Sequence, residues 1–510
     1  MAPETGFTSP LRLYSENPVA VLERLRDGCL DYLGEANDRV TDLHLLAAIK
    51  SGLLDACADS FPDPRDAPQI PMRVLLAAAI AGAFAGEYAL SQAAPALHSP
   101  AVLAELGYNV AWLTPGQGLS QWGTEEEALF HSSTLFKLLL QVDAADRAAG
   151  RSPGASLIEW WNDHVGPAFL RLVGGSPGAW IVDCTKLLVN LENPRYEGSS
   201  TATDEDGKPL RGYKLGLLSC LLSEGRLIVR LGWDGVRESD HTVARPLMGA
   251  ASPLEKGDTL LHDRGLLDGE TISTLKRDLG VDVVFGIKKS MLASRLAVAQ
   301  AVLRPRCHWK PHPERPDQEI LLVRNIGEPW EALTVPINGC VVREADARQP
   351  DGYRYYVFGS TNLQRTAAGI VRDYGSRTEC EEDHRQTKGR DWEMDEFTST
   401  KLVEIVFHVV VVLFAYNLCQ WYGQTESGEP FAGKTKRARQ RAVKRERTAW
   451  LVVISGPYYA VLDDLTVAEV LLEVEGEARD ALRASIQRQQ SDRRPSKQVG
   501  SSGVLVPGLG

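Results

Sequence analysis

Tyr374, Arg377, Glu381 and Lys388 follow one another at intervals of three, four and seven residues within YGSRTECEEDHRQTK. On a helix those intervals return to one face, so a single carboxylate stands between two cations. A surface helix laced with ion pairs has the same spacing, and its pairs contribute only a few tenths of a kcal/mol each. The pattern gains chemical meaning from the other acids that can join Glu381. Asp183 closes the apolar run AWIVD and Asp263 closes DTLLHD. An acid at the exit of a buried strand is awkward for packing and natural for a metal ligand. Two strand-borne aspartates and a helix-borne glutamate can hold two divalent cations about 4 Å apart. One such cation activates water or a 3′-hydroxyl and the other stabilises the leaving oxygen of a phosphodiester. Carboxylate oxygens suit Mg2+, with Mn2+ able to substitute, better than zinc.

The chain resembles the DDE transposases of bacterial insertion sequences, in particular the IS4-like group. The family pattern of Tyr, two residues, Arg, three residues, Glu, six residues and Lys is met in full by Tyr374, Arg377, Glu381 and Lys388. IVDCTK resembles the first-acid motif, with Asp183 as ligand, and LHDRGLLD the second, with Asp263. The likeness runs over residues 178–423 and is weaker in the helices before them. Thr378 stands where the family usually has Trp, and Cys380 occupies the apolar position before the glutamate. The resemblance implies an RNase H-like catalytic core and a DNA transposase. Asp183, Asp263 and Glu381 are then both the catalytic residues and the ligands of two Mg2+ ions, with no other cofactor. The implied reaction is hydrolysis at the transposon end, followed by attack of the freed 3′-hydroxyl on target DNA. The implied partners are double-stranded DNA, as terminal inverted repeats and as target, and further copies of the chain on paired ends. Arg377 and Lys388 would grip phosphate oxygens near the scissile bond, and Tyr374 would contact the backbone or stack.

Other residues carry weaker signals. Lys288 and Lys289 close the run VDVVFGIK, as phosphate contacts or as solvated lysines. The segment Lys434 to Arg447 holds eight basic residues and one acid. Lys434, Arg437 and Arg441 are its candidate DNA contacts, in a patch that adds salt-dependent affinity without base readout; a solubilising linker is the plainer account. Tyr213 and Lys214 open a strand and either touch DNA or begin it in solvent. His241 is a site residue or part of a local cap, and Asp268 an N-cap. His262 and Arg264 are structural or phosphate-facing, and Glu379, Glu382 and Asp383 are decoys beside Glu381. Cys184 has no assignable histidine and reads as a small apolar residue. Cys307, His308 and His312 lack a fourth ligand for zinc.

These residues need elements to hold them. An α/β fold is expected. Residues 1–177 read as a helical region that could bind DNA ends, 178–289 as the first part of the core, and 290–370 as a β-rich insertion. The span 371–423 reads as the helices that return with the third acid, and 424–510 as a basic linker, an amphipathic region and a disordered tail. The pair of strands in YKLGLLSCLLSEGRLIVRLGW turns at Glu224 and Gly225, and DGETISTLKRDLG is a helix. With 510 residues and 44% hydrophobic content the chain can bury a core of two or three domains. Its net charge of −11 argues against a uniformly basic binder while leaving room for local basic patches. The start lacks the pattern of a secretion signal. The apolar run Ile405 to Tyr416 reads as a buried helix shorter than a membrane span of about 20 residues. Eight cysteines without paired spacing suggest reduced thiols, and so a cytoplasmic, bacterial protein without membrane. Two other functions stay open: a transposase-derived DNA-binding protein that no longer cuts, and an RNase H-like nuclease without strand transfer.

Overall fold

The computed structural model describes residues 14–36, 39–66, 68, 70–97, 99–108, 133–204, 206–377, 384–444 and 449–491. They form two compact units of mixed α/β character. One comprises residues 52–67 and 135–439, the other 1–51, 68–134 and 440–510.

The larger unit is built on a ten-stranded sheet. From one side its strands run Ser200–Thr203, Pro209–Leu221, Ala179–Val189, Thr259–His262, Asp282–Ile287, Tyr353–Ser360, Asn338–Ala345, Gln318–Val323 and Lys310–Pro311, with Arg226–Gly235 also paired to Pro209–Leu221. Pairing is parallel between 179–189 and 259–262 and between 259–262 and 282–287, and antiparallel elsewhere in this sheet. The central parallel strands TLLH and DVVFGI are almost continuously buried, as strands covered on both faces must be. A crossover returns the chain between them through the helix Gly269–Arg277, whose N-cap Asp268 accepts from Thr271 N at 2.8 Å. The hairpin 209–235 turns at residues 222–225, where Leu222 N donates to Gly225 O. The strands between 310 and 360 do not form a sheet of their own. They extend the central one, because Tyr353–Ser360 pairs with 282–287 through Phe358 opposite Gly286.

The outer edge of Arg226–Gly235 is covered by side-chain amides in place of another strand. Asn417 accepts from Ile228 N at 2.9 Å and donates to Ile228 O at 2.7 Å. Asn162 does the same for Leu231, at 2.7 and 2.9 Å. Each asparagine imitates a strand neighbour and blocks edge-to-edge pairing. Gly166 lets its helix approach this strand closely, since a Cβ there would stand 1.9 Å from Val229 O. Asn417 belongs to the helix Leu402–Tyr422, which outruns the apolar stretch Ile405–Tyr416 at both ends. By length and apolarity this helix could cross a membrane, yet 89% of its most apolar window is buried inside the protein.

The second unit joins the two ends of the chain. Its sheet runs Ser15–Glu16, Tyr458–Asp463, Trp450–Ser455 and Tyr32–Glu35. The helices Pro18–Arg26, Asp464–Glu473 and Gly476–Ser491 contribute Val21, Leu25, Val467, Val470 and Leu482 to a core with Val453 and Ala460. A second cluster places Ala101 and Ala104 of the helix Pro100–Glu105 against Val452, Ile454 and Tyr459.

Candidate active site

Parallel pairing sets the two aspartates side by side. Val182 lies opposite His262, so Asp183 and Asp263 are the next residues on two neighbouring strands. Side chains alternate along a strand, which puts both acids on the face that carries the paired Ile181 and Leu261. The helix Ala367–Ser376 covers this face, packing Ile370 and Val371 on Ile181, Leu261 and Val284, with Tyr374 beside them. Thr366 starts that helix by accepting from Gly369 N at 3.1 Å.

The far end of the helix brings Tyr374 and Arg377 to Asp263. Arg377 occupies the C-cap, is buried, and places a guanidinium nitrogen 3.4 Å from Asp263 Oδ2. Tyr374 turns its hydroxyl toward the Asp263 side, lies with its ring centroid 4.5 Å from that of Phe358, and has the Arg377 guanidinium 6.0 Å from its ring centre. Burial pushes the Tyr374 phenol up, and the Asp263 charge adds to this against the opposing pull of Arg377 and Arg264. Space for the hydroxyl comes from Gly286. A Cβ there would stand 2.8 Å from the Tyr374 hydroxyl and 3.0 Å from Cγ and Nε of Arg264. The glycine is therefore needed for room, which an ordinary strand residue would fill.

Asp183 is the drier acid, with its side chain 13% exposed against 37% for Asp263. Its Oδ1 accepts from Cys184 N at 2.9 Å, and His384 Nε2 lies 3.4 Å from Oδ2. Burial works to raise the Asp183 pKa. The hydrogen bond and charge of His384, the Arg377 charge and the Cys184 N–H outweigh it, so the carboxyl titrates below its usual range. Lys388 donates to Lys186 O at 2.6 Å. Burial lowers the pKa of its ammonium, while the charges of Asp395 and Asp183 oppose that shift.

Glu381 lies outside the described residues, as do Thr378, Glu379, Cys380, Glu382 and Asp383. Among the described residues no three or more His, Cys, Asp or Glu side chains gather as a metal site. The two aspartates nevertheless fit a hard divalent cation in kind, since they present carboxylate oxygens at adjacent strand ends. Thus Asp183, Asp263, Tyr374, Arg377 and Lys388 are brought to one region of the sheet face, and His384 joins them. His384 lies three residues after Glu381 and seven after Arg377. The helical spacing that singles out the other four residues could have found it too.

The remaining candidates lie elsewhere. Lys288 and Lys289 are exposed beyond their strand. Tyr213 is fully buried and its hydroxyl donates to Glu197 O at 2.7 Å. Lys214 is buried, its ammonium 2.7 Å from Asp240, so neither residue begins its strand in solvent. Ser239 caps the short helix that carries His241, and His241 Nε2 is 3.4 Å from Asp268. His262 stacks on Phe285, and burial drives its pKa down to about 4. The Cys184 thiol donates to Asp240 O, and His312 Nδ1 accepts from two backbone N–H groups in its own turn.

The basic segment forms the helix Lys436–Lys444. Lys436 is buried, lies 4.5 Å from the centre of the Trp392 ring and donates to Asp391 O at 2.8 Å. Arg437 pairs with the Asp391 carboxylate at 2.8 Å, and Arg439 is buried while donating to Lys434 O. Lys434 donates to Pro430 O, and Arg441 is exposed. Several of these cations hold the loop that follows Lys388.

No protein-family model matches the chain, and no curated protein matches it.

Proposed function

We propose that this chain is a DDE-type DNA transposase with an RNase H-like core, acting on DNA in a bacterial cytoplasm. The observation that carries this reading is the pair Asp183, inside the strand Ala179–Val189, and Asp263, just after Thr259–His262, each next to the last parallel pair Val182–His262, beneath a helix whose last turn and C-cap carry Tyr374 and Arg377. Three antiparallel strands, 226–235, 209–221 and 179–189, lead into that parallel pair, an order that supports the finer fold assignment. The second unit and the helices before residue 178 are the part left to recognise DNA ends.

Asp183, Asp263 and Glu381 would hold two Mg2+ ions. When bound, these supply activation of water or a 3′-hydroxyl and stabilisation of the leaving oxygen. The chain's own cations orient the strand. Arg377, buried between Asp263 and the Tyr374 ring, has a planar fork that would suit phosphate oxygens on turning from Asp263, and Lys388 brings a point charge to the Asp183 side. Tyr374 packs on Phe358 beside Arg377 and would steady that guanidinium next to Asp263. The drier surroundings of Asp183 strengthen every electrostatic contact made there.

The test is a plasmid that carries the DNA flanking this gene around a marker, incubated with Mg2+ and the wild-type or Glu381→Gln protein. Excision followed by joining, lost in the variant, is expected. Cutting without joining would favour a nuclease. Binding of the flanks by both proteins without any cutting would favour a DNA-binding protein that no longer cuts.

A further inference from the structure

We propose that His384 is the positioning residue of Asp183, acting through that carboxylate rather than on DNA; the proposal rests on the reading of Asp183 as a metal ligand. Three observations carry it. The first is register, because His384 and Lys388, four residues apart, share one face of a helical turn. Residues 384–388 are helical, and Arg377 ends the helix before them.

The second is contact. Asp183 Oδ1 is held by the N–H of its own neighbour Cys184 at 2.9 Å, and Oδ2 faces His384 Nε2 at 3.4 Å. With its proton at Nε2, the imidazole donates to the oxygen that the backbone leaves unheld. A carboxylate has about four acceptor sites, so two donors orient it and leave sites for a cation. The third is burial. The His384 and Asp183 side chains are only 14% and 13% exposed, so the pair is shielded from competing water. Asp263, at 37%, is faced instead by Arg377 at 3.4 Å. Each acid thus has its own orienting partner, both drawn from the segment that flanks Glu381.

Partners of this kind fix the direction of a ligand oxygen, and their loss lowers metal affinity by about 10- to 100-fold. The experiment is Mn2+ titration of the full chain by isothermal calorimetry, for wild type, His384→Phe, His384→Gln and Asp183→Asn. The thermal midpoint of each is measured without metal. Phe keeps the ring volume and removes both nitrogens, whereas Gln keeps an N–H donor. Expected are loss of binding in Asp183→Asn, a Kd about 10- to 100-fold weaker in His384→Phe, and recovery of most of that affinity in His384→Gln. The metal-free midpoints of the two His384 variants should match each other. Unchanged or tighter Mn2+ binding in His384→Phe, while Asp183→Asn still loses it, overturns the positioning role. Equal losses in Phe and Gln also overturn it, because they make His384 a direct ligand. Should His384→Phe not fold, wild-type affinity in His384→Gln upholds the role and a tenfold loss there overturns it. Wild-type affinity in Asp183→Asn would instead sink the ligand reading of that aspartate, whatever the His384 variants do.

Discussion

Two stretches of this chain are rich in cations, and they put them to different uses. Residues 374–388 send Arg377 to Asp263, with Lys388 and His384 on the Asp183 side. The segment that begins at Lys434 turns much of its charge inward, with Lys436 over Trp392, Arg437 on Asp391 and Arg439 buried against backbone. By count the basic segment is far the more cationic, with eight bases against one acid where residues 374–388 hold three bases against four acids. The difference lies in where each cation sits: beside Asp183 and Asp263 in one case, against the backbone carbonyls and the Asp391 carboxylate of a loop in the other. Local charge density is therefore not by itself a guide to chemistry: the buried Arg377 stands beside an acid of the candidate site, the half-exposed Arg437 beside a loop carboxylate.

The largest expected effect separates the acids from everything else. Asp183→Asn should lower metal-dependent nicking by more than about 100-fold, the upper range for losing a mere orienting partner. Its thermal midpoint without metal, at neutral pH, should fall slightly, because the His384, Arg377 and Cys184 N–H contacts that hold the carboxyl below its usual range outweigh its burial. Retained nicking in that variant would dissolve the contrast between the two stretches.

Next in size is Arg377→Ala. A charge-assisted contact contributes about 1.5–3 kcal/mol, so cleavage should fall about 10- to 100-fold, whereas Arg437→Ala should leave the rate of a bound complex unchanged. Single-turnover cleavage at saturating protein reads this directly, and equal losses in both variants would erase the distinction. Gly286→Ala sharpens the same point without altering any charge. Its methyl group would meet the Tyr374 hydroxyl and Arg264, shifting the ring that stands beside Arg377, and about a tenfold loss of rate is expected if the Arg377 contact weakens with it. A wild-type rate would mean that the phenol gives way without consequence.

Much of this site is written in local pattern. An apolar run that meets an acid, a hairpin turning at Glu224 and Gly225, and the cap at Asp268 are short-range features, visible because neighbours in sequence are neighbours in space. What escapes such reading is long-range pairing. The strand Trp450–Ser455 takes Tyr32–Glu35 as its partner across more than four hundred residues, and no feature of either run names the other. Likewise Phe358 opposite Gly286 joins the later strands to the central sheet, although they read as a separate insertion. The mixed α/β character is legible from composition and pattern, whereas the direction in which Lys436, Arg437 and Tyr213 point is decided by the residues packed around them. His384 was within reach of helical spacing alone, but its meaning depends on Asp183, two hundred residues away.

The smallest effects test the basic helix itself. Lys436→Met keeps most of the stem and removes the ammonium, with its contact to the Trp392 ring and its hydrogen bond to Asp391 O. Such contacts are worth about 1–2 kcal/mol together, so the thermal midpoint should drop by a few degrees. DNA affinity should respond otherwise at each position. Arg441 is exposed and Arg437 is paired with Asp391; if Arg441 touches phosphate, Arg441→Ala reduces the slope of log affinity against log salt by about 1. Arg437→Ala should leave that slope in place and cost less than about 1 kcal/mol of stability, the usual worth of a half-exposed pair. Slopes that fell equally in both variants would mean that Arg437 leaves Asp391 when DNA arrives. The inward-facing cations would then be a reserve of charge released by binding, and the contrast between the two stretches would describe only the free protein.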